Sequence, residues 1–327
     1  MPGAYIPPHK RHATPSSGAA PAPSTSTTRS STIATATATV TAATPTSSIR
    51  TRAPMPFQRT AAAAAAATTR RAATYTFFGD SFVRLFGLVE NPSIRVRAFK
   101  GASAKGLGRT ENTNRAQIAR ECSMTRATDR CIFSFGSVDV HLSYYHKTFV
   151  LGEDIDLEEI AKRYVEFVAS ISTPAKKTIV GVYPSPLDDE NVALSLVNYG
   201  SLSEDKVDAV AASDDVKLAI RQGRVKTFNR ALATHCLEHD IEYDDLLNEM
   251  FDDNGLRIRE KFRDVSDHNI HIVWETTILE WIEKWPWFKE LVPASFREKT
   301  EQTLREYLKT KPWAERTHVS QGGVTET

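Results

Sequence analysis

From residue 74 onward the chain alternates between two kinds of hydrophobic pattern. "TYTFF" (74–78) is β-branched and aromatic, "SIRVRAF" (93–99) alternates polar with apolar residues, and "RCIFSFGSV" (130–138) is a nearly continuous apolar run. "KTIVGVYPS" (177–185) reads as a buried run stopped at Pro184, and "IEYDDL" (241–246) is a short fifth candidate. Runs of this length and composition predict strands. Between them the period changes. "DLEEIAKRYVEFVASI" (156–171) sets Leu157, Ile160, Ala161, Tyr164, Val168 and Ile171 on one helical stripe, with acids in the first turn, where the helix dipole favours them. "SDDVKLAIRQGRVKTFNRALATHCLEH" (213–239) predicts a longer amphipathic segment capped by Ser213. Strands alternating with helix-length crossovers predict a parallel sheet covered on both faces. Ligands of such sheets bind beyond the carboxyl ends of the strands.

Residues 1–73 carry neither pattern. They are dominated by Ala, Thr, Ser and Pro, as in "ATATATVTAATPTSS" and "AAAAAAATT", and contain eight Lys/Arg but no Asp or Glu. The overall charge of +1 therefore hides an asymmetry, with 33 basic against 40 acidic residues in the remainder. So little apolar surface cannot offset chain entropy, and this segment is expected to be a disordered basic tail. The expected organisation is tail 1–73, one α/β domain over 74–310, and a disordered C-terminus over 311–327. The roughly 250 residues after the tail suffice for one filled core.

Cys122, Cys131 and Cys236 form no CxxC pair, which argues against a disulfide framework or a zinc site and fits a reducing compartment. No apolar run is long enough to span a bilayer. A cytoplasmic location is expected, although an acid-free Arg/Ser/Thr-rich lead also fits an organelle transit peptide. "YIPPHKR" (5–11) resembles a short element near the start of some DEAD-box RNA helicases, which implies a tail that recruits a protein partner. With few aromatics to stack on bases, this tail does not favour nucleic acid.

Candidate chemistry clusters at the strand ends. The first ends at Gly79-Asp80-Ser81, the second at "FKGASAKGLG", the third at "FGSVDVHLSYYHK" and the fourth at "VYPSPLDDEN". Small and polar residues close four consecutive strands. In this order "FGDS", "KGASAKGL", "FGSVD" and "DVSDHNIH" resemble the four blocks of the SGNH/GDSL hydrolase superfamily, over roughly 74–275. The resemblance implies a flavodoxin-like three-layer α/β/α sandwich with a five-stranded parallel sheet, agreeing with the strand count reached from the patterns alone. It implies a serine esterase or acyl hydrolase acting on a small-molecule or carbohydrate ester, without cofactor. Ser81 would be the nucleophile, a His of the last block its base, and a neighbouring Asp the orienter of that imidazole. Gly101 would help bind the oxyanion, while Asp80 and Asp139 would shape the loops around the site.

Two departures stand out. The family's third block carries an Asn that donates to the oxyanion; here that position is Val138, and losing one such donor costs about 3 kcal/mol. His141 is the nearby candidate to replace it. The last block contains no literal D-x-x-H: Asp264 precedes His268 by four and Asp267 precedes His271 by four. The apolar–His–apolar triplet Ile270-His271-Ile272 resembles the usual ending of the family's last block, which implies His271 as base, with Asp267 as orienter and His268 in reserve. These departures also leave open a catalytically weak or inactive descendant serving as a binding module.

Other features point elsewhere. "GASAKGLG" matches neither a P-loop nor a dinucleotide fingerprint, and "HNIH" offers two metal ligands without a third, so neither nucleotide nor metal is expected. Lys100, Lys105, Arg109 and Arg84 read as solvated surface. Tyr144, Tyr145 and His146 suit either a sugar-stacking rim or ordinary packing. Trp281, Trp285 and Trp287 predict a terminal helix anchored on the core.

Overall fold

The structure, a computed structural model, describes residues 72–264 and 269–307 and the backbone of 324–326. All but the last two residues of the expected tail, and most of the expected C-terminal segment, lie outside these residues. Five strands form where the patterns place them: β1 Tyr75–Gly79, β2 Ile94–Ala98, β3 Arg130–Ser134, β4 Lys176–Val180 and β5 Glu242–Asp244. A short β6, Val324–Glu326, adds to the β2 edge. Every pairing is parallel, in the order β5-β4-β3-β1-β2-β6. The first five strands thus follow the flavodoxin-like order, whose topological switch point lies between β1 and β3.

The α-helices among the described residues are α1 Ala104–Leu107, α2 Thr113–Ser123, α3 Leu157–Ser170, α4 Asp189–Asn198, α5 Val207–Ala211, α6 Leu218–Glu238, α7 Leu247–Met250, α8 Trp274–Lys284, α9 Pro286–Lys289 and α10 Phe296–Tyr307. One layer packs α1, α2, α3 and α6 on the sheet face of Phe78, Phe133 and Ile179. The opposite layer packs a 3₁₀ segment, Ser81–Leu88, with α8 and α9 against Phe77, Val96, Ile132 and Val180. Phe77 and Phe78 are both fully buried, on opposite faces, which explains why β1 lacks an exposed polar alternation. Helix α3 forms as its stripe requires: Asp156 caps it by accepting from the Glu159 N–H at 2.9 Å, and all of Leu157, Ile160, Ala161, Tyr164 and Val168 are buried. Trp281 and Trp285 lie in the second layer with ring centroids 4.1 Å apart, anchoring α8 on Phe86 and Phe77.

A third, smaller cluster caps the carboxyl end of the sheet. It joins Leu187, Val192 and Leu196 around α4, Val210 of α5, Tyr145 and Ile270. The chain after β3 enters this cap through π-helical turns, Asp139–Ser143 and His146–Leu151. The long amphipathic segment expected over 213–239 divides here. Ser213 caps a single 3₁₀ turn, Asp214–Val216, and α6 starts only after Lys217, whose extended backbone (ψ 133°) interrupts the helix. The break has a physical reason: Val216 is buried, and its carbonyl accepts from the Arg221 guanidinium at 2.7 Å. Tyr145 is also buried, its hydroxyl donating to the Asp215 carbonyl at 3.0 Å, and the Arg224 guanidinium lies 4.0 Å from the Tyr144 ring centroid. Tyr145 thus serves the packing of the cap, while Tyr144 stays partly exposed.

Candidate active site

Strand β1 meets the site through a glycine that has no substitute. A Cβ on Gly79 would lie 2.5 Å from the Ser134 carbonyl oxygen and 2.5 Å from the Val83 Cβ. That close approach lets the chain turn directly from strand into the 3₁₀ segment. Asp80 caps the segment, its Oδ1 accepting from the Phe82 N–H at 3.0 Å, and Ser81 is the first helical residue. Ser81 is therefore not the cap. It stands at the carboxyl end of β1, beside the switch point, and is half-buried.

His271 arrives from a position 190 residues later, and its Nε2 lies 2.9 Å from the Ser81 Oγ. The loop before α8 delivers it. The His271 backbone N–H donates to the Asn269 side-chain oxygen at 3.0 Å, closing a tight turn, and the same oxygen lies 3.1 Å from His271 Nδ1. Because a backbone N–H can only donate, the Asn269 atom facing it is the oxygen. An Nδ1 facing that oxygen carries the proton, so Nε2 is free to accept from the serine hydroxyl. The Tyr199 hydroxyl donates to the Asn269 oxygen at 2.9 Å and stands 3.3 Å from Nδ1. The Phe82 ring, 4.5 Å away by centroids, and Trp274 at 6.4 Å wall the imidazole in.

Burial dominates the electrostatics. His271 is pushed down to about 3 by burial, with the positive charge of Arg84 and then His141 adding to it. The imidazole is accordingly neutral at physiological pH, as a base must be. Burial likewise raises Asp80 to about 7; the Phe82 amide opposes this and the Asp139 charge reinforces it. Asp139 is raised to about 6 by burial, with the Lys105 and Ala104 amides pulling it back. Its carboxylate accepts from the Ala104 N–H at 2.6 Å and the Lys105 N–H at 3.1 Å, pinning the start of α1 and the loop carrying Gly101. Gly101 lies three residues beyond Ala98, the register partner of Gly79, with a left-handed φ of +73° that favours glycine.

The structure thus brings Ser81 and His271 together, sets Asp80 beside them, and places Asp139 under the neighbouring loop. Asp267 and His268, expected as orienter and reserve base, lie outside the described residues. His141 does not supply the missing oxyanion donor through Nε2. That nitrogen lies 3.0 Å from the Tyr183 carbonyl oxygen, which can only accept, so it holds the proton there. Burial lowers His141 to about 4, leaving a neutral ring whose Nδ1 is an acceptor. Val138 is buried and apolar. Asn269 and Tyr199 were not anticipated. An Asn two residues before a His carries the local signal of an Asx turn, whereas Tyr199, 72 positions from His271, carries none. Among the described residues no group of three or more His, Cys, Asp or Glu is placed to hold a metal, and no helix is long and apolar enough to cross a membrane.

No protein-family model and no curated protein matches the chain. Solved structures do match, among them lipolytic enzymes of GDSL type. A carbohydrate acetylesterase from Sinorhizobium meliloti is 11% identical, with a TM-score of 0.39 over 72% of this chain and 100% of that one. A GDSL-like lipase from Bacteroides thetaiotaomicron is 12% identical, with a TM-score of 0.37 over 67% and 89%. A member of the lipolytic G-D-S-L family from Veillonella parvula is 13% identical, with a TM-score of 0.36 over 72% and 100%. At this level of likeness the chemistry of the site rests on the chain's own geometry.

Proposed function

We propose that the chain is a serine acyl hydrolase that cleaves esters through an acyl-Ser81 intermediate. The observation that carries this reading is the 2.9 Å contact between the Ser81 hydroxyl and His271 Nε2, at the end of the sheet where such folds bind ligands. In the reaction His271 Nε2 takes the hydroxyl proton as Ser81 Oγ bonds to the ester carbonyl carbon. The carbonyl π electrons move onto oxygen, forming a tetrahedral oxyanion. Collapse expels the alkoxide, which receives the proton from Nε2. Water then repeats the sequence on the acyl-enzyme and releases the acid. Backbone N–H groups of Ser81 and Gly101 are assigned to the oxyanion, since the glycine leaves the approach open. The substrate class is an O-acyl ester, with acetyl groups on a carbohydrate as the finer assignment implied by the motif resemblance.

The test compares the full chain with Ser81→Ala on p-nitrophenyl acetate and maps any fluorophosphonate adduct. An adduct on Ser81 and loss of turnover in the variant support the reading. Equal rates in both proteins, with no adduct, refute it. A second reading, a binding module that retains the fold without turnover, is favoured by one observation: Val138 and the tautomer of His141 leave the third oxyanion donor unassigned. It predicts saturable ester binding with no release of nitrophenol.

A further inference from the structure

We propose that Asn269 and Tyr199 together position His271, so that a neutral amide and a phenol brought in from the cap orient the base. The inference rests on the Ser81–His271 reading given above. The Asn269 side-chain oxygen collects three donors: the His271 backbone N–H at 3.0 Å, His271 Nδ1 at 3.1 Å and the Tyr199 hydroxyl at 2.9 Å. Each contact does a different thing. The first locks the residue's backbone to the amide, the second selects the tautomer with Nδ1 protonated, and the third ties the amide to α4. Tyr199 stands close enough to Nδ1, at 3.3 Å, to share that proton's field.

Both partners are themselves held. Asn269 is buried, and its amide nitrogen has no hydrogen-bond partner among the described residues, so its polar contacts there run through the oxygen. Tyr199 closes α4: its N–H donates to the Ser195 carbonyl at 2.9 Å, and Gly200 (φ +72°) lets the Ser201 N–H return to the Leu196 carbonyl at 2.8 Å. The far end of α4 is tethered by Arg221 to Asp189 at 3.1 Å and, one residue earlier, by Arg257 to Asp188 at 3.0 Å. The helix is a strut that runs from ion pairs at one end to the imidazole at the other. The segment between β4 and α6 is then part of the machinery that aims the base, beyond covering the sheet.

An amide oxygen stabilises an imidazolium less than a carboxylate does, which gives the test its sign. The full chain is labelled with ¹⁵N-histidine, and the His271 ring nitrogens report the tautomer whether or not the protein turns over. Wild type is expected to show one tautomer, with Nδ1 protonated, and Asn269→Ala a mixture. Asn269→Asp keeps an oxygen in place while adding charge, and should raise the His271 titration midpoint by at least about one pH unit. On p-nitrophenyl acetate, Tyr199→Phe should lower kcat by about tenfold with KM little changed, as expected for one lost hydrogen bond to the positioning amide. Asn269→Ala with the wild-type tautomer, or Asn269→Asp with the wild-type titration, would overturn the proposal. Ser81→Ala hydrolysing as fast as wild type would instead sink the hydrolase reading and leave the tautomer result standing.

Discussion

Replacing Asp80 by Asn isolates the electrostatic cost of burying a carboxyl group next to Ser81. Asp80 is fully buried, and its Oδ2 finds no hydrogen-bond partner among the described residues. Its pKa rises from an ordinary 3.8 in the unfolded chain to about 7 in the fold, because burial penalises the anion. Between these values the folded protein retains a proton that the unfolded chain has shed. Stability from this group is therefore present at low pH and is lost as pH rises towards 7, by about 1.4 kcal/mol per unit. Asn cannot ionise, but its oxygen can still cap Phe82. Any cost of burying an amide nitrogen in place of the unpartnered Oδ2 is the same at every pH. The histidine titrations occur in both proteins and cancel in the comparison. From pH 5 to pH 8, Asp80→Asn should gain about 3 kcal/mol relative to wild type, the two units between 5 and the folded value multiplied by that slope. Urea unfolding of both proteins at the two pH values, followed by tryptophan fluorescence, measures this double difference. A difference that stays constant to within about 1 kcal/mol would mean that Asp80 titrates normally and the burial argument is wrong.

Three further outcomes follow from the same geometry. With His271 held at about 3, its ring ¹⁵N signals should show no titration between pH 7 and pH 5; a midpoint near 6.5 would show an ordinary, solvated imidazole. Gly79→Ala forces a methyl group against the Ser134 carbonyl at 2.5 Å, so stability should drop by more than about 2 kcal/mol and activity be lost; an unchanged melting temperature would contradict the close approach. Asp139→Ala removes the acceptor for the Ala104 and Lys105 amides, loosening the Gly101 loop, and should cost about 1–3 kcal/mol and depress kcat, measured by urea titration and ester turnover.

The parts of this protein that were legible in its sequence share a physical cause. Strands β1, β3 and β4 end in residues buried on both faces, so their apolar runs stand out without any knowledge of neighbours. A Gly-Asp-Ser closing a strand is ordinary by itself; Ser81 and His271 stood out because "FGDS", "KGASAKGL", "FGSVD" and "DVSDHNIH" follow in the order of the blocks they resemble. What escaped notice depends on long-range packing. Tyr199 reads as an ordinary residue before a helix-ending glycine, and only the folding of α4 against the loop before α8 turns it towards His271. Asn269 sat within the block already singled out, but its contact with the imidazole depends on the turn that the loop makes there. The break at Lys217 was hidden because the apolar pattern continues across it; the carbonyl of Val216 is claimed by Arg221, which no periodicity records.

The 190 residues separating Ser81 from His271 also order events during synthesis. At roughly 5–20 residues per second a ribosome needs about 10–40 s to travel from one to the other. Throughout that interval the nascent chain presents the hydroxyl with no imidazole to activate it. Under the proposed reading, ester-cleaving capacity therefore appears only after the ribosome has passed the loop that precedes α8, and a product truncated before that loop would be chemically silent.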